Sequence, residues 1–500
     1  MRKFFFLSIC FFAISLAVFA EPTNYTYNYD FWDEYVASPD AYRVSSYILG
    51  TSLGIDNFRD PQGLFIRENR VYVCDSGNNR IVLFEVNEKG EYILSAVVSS
   101  VVIDGVVSPL NYPMDIFECR EGFIYIADTN NMRILKLDRD WNYIFSITRP
   151  DDESIDDFVE FQPLKLIVDF ANRIFAQVRN VNKGLMEFDG RGEFVGYMGA
   201  NKVAFNLIDY IWKFISTQEQ RARMELFVPT EYNNLALDSD GFIYVTNAAV
   251  SATAATTAAS TTSSTPTDQT DPVRRLNAMG QDILIRNGYS RPIGDIDYTD
   301  TAITGVVTGP SRFIDVVAFD NDSYACFDRA RGRIFMYDFQ GNLLYAFGGL
   351  GNREGCFLMP VALDRMGTSL YALDSRTGAV TRFDLTSYGV KINEALDEYK
   401  AGRYESSAAL WEEVLKMNGN YDLAYIGIGR AALRQGEYQK AMKYYKLKHY
   451  RQGYSRAFQL YRKEWVEENL WKILLALGIL IIVPLVVKYS IKIVREIREA

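Results

Sequence analysis

The chain of 500 residues predicts an all-β, six-bladed β-propeller, followed by a short module of paired helices and one long apolar helix. Three observations carry that prediction. A strand–turn–strand unit recurs, since VYVCDSGNNRIVLFEV at 71–86 returns as IYIADTNNMRILKLD at 124–138, each a pair of β-prone apolar runs around an Asn/Asp-rich turn. A proline opens each unit, at Pro61, Pro113, Pro163, Pro229, Pro310 and Pro360, so there are six copies. Beyond Leu385 the apolar period lengthens to that of helices.

Composition narrows the function classes. With 48% apolar and 23% charged residues the chain can build a sizeable core, and its 33 Tyr and 32 Phe suit strands that must fill wide spaces between sheets. A net charge of −10 argues against nucleic acid, whose phosphates need a basic face. His449 is the sole histidine, which removes Ser-His-Asp, Cys-His and histidine-zinc chemistry from everywhere but its own neighbourhood. Cys74, Cys119, Cys326 and Cys356 lack CxxC spacing and read as buried thiols, with Cys326 and Cys356 the pair to test for a disulfide.

In chain order, residues 1–20 carry Arg2 and Lys3, an apolar run and a Val-x-Ala site, the parts of a secretory signal peptide. Residues 21–40 are rich in Tyr, Asn and Asp and resist assignment. YRVSSYIL at 42–49 is a lone strand. The six units occupy 41–388, and the sixth, with VALD, LYALD and VTRFDL, lacks a fourth strand. The lone strand supplies what the last unit lacks, and closing the ring this way leaves no free edge. DPQGLFIRENRVYVCDSGNNRIVLFEV and YPMDIFECREGFIYIADTNNMRILKLD resemble NHL repeats, a propeller-forming family, and the resemblance extends over 41–386.

Two insertions break the pattern. Residues 201–227 carry a helical apolar stripe that includes Ile208, Trp212 and Phe214, and 248–270 form a Ser/Thr/Ala-rich tract expected to be a disordered loop. Second-to-third and fourth-to-first connections emerge on one rim, so these extras should decorate one face.

YKAGRYESSAALWEEVL at 399–415 matches LRQGEYQKAMKYYKL at 433–447, with Gly402 and Tyr404 in register with Gly436 and Tyr438. The period resembles that of tetratricopeptide repeats, whose Gly-x-Tyr-x-x-small spacing sets a tight helix–helix approach, with Ser407 and Ala441 as the small residues. With a capping helix this module spans 391–468. Residues 470–488 are a transmembrane helix by length and composition, and the basic tail 489–500, with Lys488 just before it, is the cytoplasmic side by the positive-inside rule.

The turn residues Asp75, Asn79, Arg80, Asp128, Asn131 and Arg133 are read as structural, because Asn and Asp side chains satisfy turn backbone. Some six-bladed propellers are calcium- or zinc-dependent hydrolases or lyases. Here no loop shows ligand spacing for calcium and no nucleophile has a base beside it, so no catalytic residue, metal or cofactor is assigned. The reading is a membrane-anchored extracytoplasmic scaffold and not an enzyme, with a metal-dependent propeller hydrolase or lactonase left open as a further alternative. Its partners would be proteins, one of them an integral membrane protein, contacted through Ile208, Trp212, Phe214, Tyr404, Trp411, Tyr438 and Tyr445. Bacterial proteins that combine these repeats with one anchor resemble accessory proteins of carbohydrate import. A glycan or small-ligand binding module is the alternative.

Overall fold

The structure is a computed structural model describing residues 26–155, 159–181, 183–199, 232–247, 271–288, 291–295, 299–302 and 305–499. The expected signal peptide, the apolar stripe expected to be helical at 201–227 and the tract at 248–270 expected to be disordered lie outside the described residues. The chain divides into two compact units at Val390 and Lys391.

The first unit is a six-bladed propeller. Blade 1 is built from strands Gly63–Arg67, Arg70–Asp75, Arg80–Val86 and Tyr92–Val98, paired in that order, and blades 2, 3 and 5 repeat the arrangement over 113–147, 163–198 and 313–348. The first strands of successive blades touch all the way round, the sixth meeting the first. In blade 6 the strands Pro360–Met366, Ser369–Asp374 and Ala379–Leu385 are completed by Tyr42–Ile48, with Val380 opposite Ile48 and Leu385 opposite Tyr42. The lone N-terminal strand closes the ring.

Tyrosine fills the spaces between blades. Tyr72, Tyr125, Tyr244 and Tyr371, with Phe175, take the same position, three residues before the last, in the second strand of blades 1, 2, 4, 6 and 3, and all are buried. A pleated strand sends such a ring into the neighbouring blade, and packing there supplies most of the driving force for the core.

Two parts depart from expectation. Among the described residues blade 4 has three strands, Tyr232–Leu237, Ile243–Asn247 and Val273–Leu276, and QDILIRNG at 281–288, which stands where a fourth would follow, is not a strand. There Asp282 accepts the backbone N–H of Leu284 at 3.0 Å and ion-pairs with Arg286 at 2.6 Å, so a side chain takes bonds that a ladder would use. The unassigned N-terminal segment forms a hairpin, Tyr27–Tyr29 with Tyr35–Ala37, that extends blade 5 through Tyr27 opposite Ala346. Its anchor is Asp295, fully buried, which accepts the hydroxyls of Tyr27, Tyr29 and Tyr35 and meets Arg331 and Arg333.

Among the described residues the α-helices are α1 (Ser387–Lys400), α2 (Tyr404–Met417), α3 (Asp422–Arg434), α4 (Tyr438–Leu447) and α5 (Arg451–Glu499). Gly402 and Gly436 adopt φ of 78° and 82° with open space around them, so they serve the turns before α2 and α4 and not the close approach their spacing suggested. That approach falls to Gly427 and Gly429 on α3. A Cβ on Gly427 would lie 2.4 Å from the Trp411 ring, and one on Gly429 would lie 2.7 Å from Tyr445. In the small-residue position, Ser407 is buried and its Oγ donates to Ala395 O at 2.8 Å. The second part of α5 is apolar, exposed along its length and long enough to cross a membrane.

Candidate functional site

Two residues on from Pro61, Pro113, Pro163, Tyr232, Phe313 and Pro360 stand Gly63, Asp115, Lys165, Asn234, Asp315 and Ala362 in blades 1 to 6, with Asp364 two places further on in blade 6. The side chains of Asp115, Lys165, Asn234, Asp315 and Asp364 line a cavity of about 440 Å³ on the axis. Its walls continue to Glu68, Arg120, Phe170, Ser239 and Gly367, so it extends toward the rim of first-to-second turns, away from the rim expected to carry the insertions.

Each buried polar group on the axis ties one blade to the next. Leu166 N–H donates to Asp115 Oδ2 at 2.9 Å, Leu363 N–H to Asp315 Oδ2 at 2.7 Å, and Ile66 N–H to Asp364 Oδ2 at 2.6 Å. Asn234 reverses the sense, its Nδ2 donating to Ile314 O at 3.0 Å. These bonds satisfy backbone groups that face the axis where no strand can pair with them. Lys165 Nζ lies 3.5 Å from Asp115 Oδ1.

Burial governs how these groups titrate. It pushes both Asp315 and Asp364 up to about 7, against backbone N–H donors and nearby cations that favour the ionised forms. Asp115 moves the same way, again chiefly through burial. For Lys165 burial opposes the charge, yet Asp115 and Asp315 outweigh it and hold the ammonium above its ordinary range. The axis therefore offers hydrogen-bond donors and acceptors at neutral pH. No group of three or more His, Cys, Asp or Glu among the described residues is placed to hold a metal ion.

The repeated turns have one construction. Asp75, fully buried, accepts Arg59 N–H at 2.7 Å, Asn78 Nδ2 at 2.9 Å and Arg80 Nε at 2.6 Å. Asp128 accepts Asn111 N–H, Asn131 Nδ2 and Arg133 Nε in the same way. The partner of Asp75 is thus Asn78, whereas Asn79 takes the left-handed position at φ 54° and accepts Tyr112 N–H from the link to blade 2. Spacing from the aspartate, three residues in both turns, distinguishes Asn78 from its neighbour.

In the helical unit the sequence-predicted residues separate. Trp411 and Tyr445 are 4% and 1% exposed and pack inside the helix pair, while Tyr404 and Tyr438 are half-buried at the first residues of α2 and α4. Ile208, Trp212 and Phe214 lie outside the described residues. All four described cysteines are free thiols, Cys326 buried and Cys356 half-buried.

The tetratricopeptide repeat family model matches residues 392–448. This part of the chain is a tetratricopeptide module. No curated protein matches the chain. Among solved structures, a streptogramin B lyase shares 12% identity over 65% of this chain and 94% of its own, with a TM-score of 0.37. Virginiamycin B lyase from Staphylococcus aureus shares 11% over 69% and 100%, with a TM-score of 0.39. A gluconolactonase-family structure shares 10% over 70% and 93%, with a TM-score of 0.39.

Proposed function

We propose that this protein is a membrane-anchored extracytoplasmic scaffold for protein–protein interaction, with an integral membrane protein among its partners. The observation that carries the reading is α5, which starts directly after the tetratricopeptide match at 392–448 and runs without a break into an apolar, exposed stretch. An interaction module joined rigidly to a span would be held at the bilayer surface, where a membrane partner is met. Lys488, Lys492, Arg495 and Arg498 favour a cytoplasmic C-terminus, and the predicted signal peptide agrees with export of the rest. The finer reading, an accessory subunit of carbohydrate import, rests on the resemblance of the whole arrangement.

Crosslinking in intact membranes tests the scaffold reading. A photoreactive residue at Lys443, exposed on α4, should capture an integral membrane protein, and capture of none overturns the reading. Loss of labelled sugar uptake on deletion of the protein tests the import role.

A second reading, a small polar ligand on the propeller axis, is favoured by the cavity and its buried Asp, Lys and Asn lining. Equilibrium dialysis of the propeller against neutral sugars, with Asn234→Leu as the control, tests it. Metal analysis of the purified protein with a lactone hydrolysis assay tests the hydrolase reading, which stoichiometric metal with turnover would support.

A further inference from the structure

A cleft of about 590 Å³ opens between the start of α4 and the first half of α5. Its walls include Glu437, Tyr438, Tyr461, Glu464, Trp465 and Glu468. The charges in it are not balanced from within. Lys440 Nζ meets Glu437 at 3.0 Å and neutralises that carboxylate. Glu464 and Glu468 stand one turn apart on the same face of α5, both exposed, and no cation among the described residues lies within ion-pair distance of either. Lys463, the nearest base in sequence, is directed to Glu467 at 3.8 Å. Like charges at this spacing oppose helix formation, so the pair is a local cost that a bound cation would relieve.

The aromatic walls fit the same guest. Trp465 is 48% exposed between the two carboxylates, and Tyr461 is held across the cleft by Gln439 Nε2, which donates to its hydroxyl at 3.2 Å. Indole and phenol faces beside carboxylates form a receptor for guanidinium or ammonium, combining ring quadrupole with charge-assisted hydrogen bonds. Position narrows the guest further. Glu468 precedes the apolar run that begins at Leu470 by less than one helical turn, which puts the cleft at the bilayer surface. Anionic lipid headgroups are repelled by the same glutamates, and the ammonium of a zwitterionic headgroup brings its own phosphate close to them, so a side-chain guanidinium or ammonium without an attached anion is the better match.

We infer that this cleft docks an arginine- or lysine-bearing segment of an integral membrane partner, close to where that partner leaves the bilayer. The inference rests on the scaffold reading and names the surface and the chemistry of the partner.

The test uses the full chain in nanodiscs of neutral phosphatidylcholine, with empty nanodiscs as the blank. A fluorescein-labelled Arg-Ala decapeptide is titrated by anisotropy beside a Glu-Ala decapeptide. The Arg-Ala peptide should bind and the Glu-Ala peptide should not. Glu464→Gln with Glu468→Gln should weaken binding about tenfold and Trp465→Ala about fivefold, in line with loss of a charge pair and of a cation–π face. Glu405→Gln with Glu412→Gln, two exposed glutamates on α2, should change it less than about twofold by the same reasoning. An unchanged affinity in the Glu464/Glu468 variant, or equal binding of both peptides, overturns the inference. Crosslinking from Lys443 separates this failure from that of the scaffold reading. Capture of a membrane protein that persists in the Glu464/Glu468 variant keeps the scaffold and discards the cleft, whereas loss of capture in that variant supports both.

Discussion

Asp128 accepts three donors from three places: the incoming link at Asn111, the turn at Asn131 and the third strand at Arg133. Removing its carboxylate leaves the Arg133 charge and two donors without their acceptor in a buried site, and Asp128→Ala should cost about 3 kcal/mol, read from urea unfolding of the propeller. Asp364 titrates in the opposite sense to a typical salt-bridged acid. Its folded-state value of about 7 lies above the ordinary 3.8, so between those limits the folded chain holds a proton that the unfolded chain has released. The stability it contributes is full below about pH 4 and lost as pH rises through about 7. Asp364→Asn removes that dependence, and the decline of unfolding free energy between about pH 5 and 7 should become shallower by up to about 1 kcal/mol per pH unit. At this scale the sequence is read unevenly. The Asp-x-x-Asn-x-Arg turn is local, and two copies side by side separate Asn78 from the Asn79 expected from sequence, whereas the axial aspartates look like misplaced charges in apolar strands until all six first strands are aligned.

Among the elements, α3 shows how backbone can replace side chain as a packing surface. Gly427 and Gly429 let the Trp411 and Tyr445 rings lie against the helix axis, so Gly427→Ala should destabilise the helical unit by about 1–3 kcal/mol in thermal or urea unfolding. Gly402→Ala meets no neighbour and pays only for its positive φ, so a smaller loss of about 1 kcal/mol is expected. The tandem repeat was legible because Gly402 and Gly436 share a register with Tyr404 and Tyr438. The role of those glycines was not, since a turn and a close approach both select glycine. The N-terminal hairpin was equally hidden. Tyr27, Tyr29 and Tyr35 make sense as a group only beside Asp295, which lies 268 positions from Tyr27 and is brought there by the ring.

For the whole molecule, the six-fold count and the shortage in the last copy were enough to place the closing strand, because a ring with one strand missing and one strand spare has a single economical solution. Blade 4 escaped that logic where Asp282 and Arg286 take up backbone and charge partners locally. Closure itself can be broken from the inside. Ile48 is fully buried opposite Val380, and Ile48→Asp should detach the strand, giving tryptic cleavage between blades 6 and 1 at enzyme levels that leave the unaltered protein intact.

The closing strand also sets the order in which the propeller can form. Ser45 Oγ donates to Arg382 O across 337 positions, so the closing strand, made before blade 1, waits for nearly the last of the propeller before it has a partner. Such high contact order slows folding and leaves an unpaired strand and an open blade exposed in the meantime. For a chain threaded through a membrane from its N-terminus, residues 42–48 would arrive outside well before blade 6, and a holding chaperone there would bind this segment in the interval.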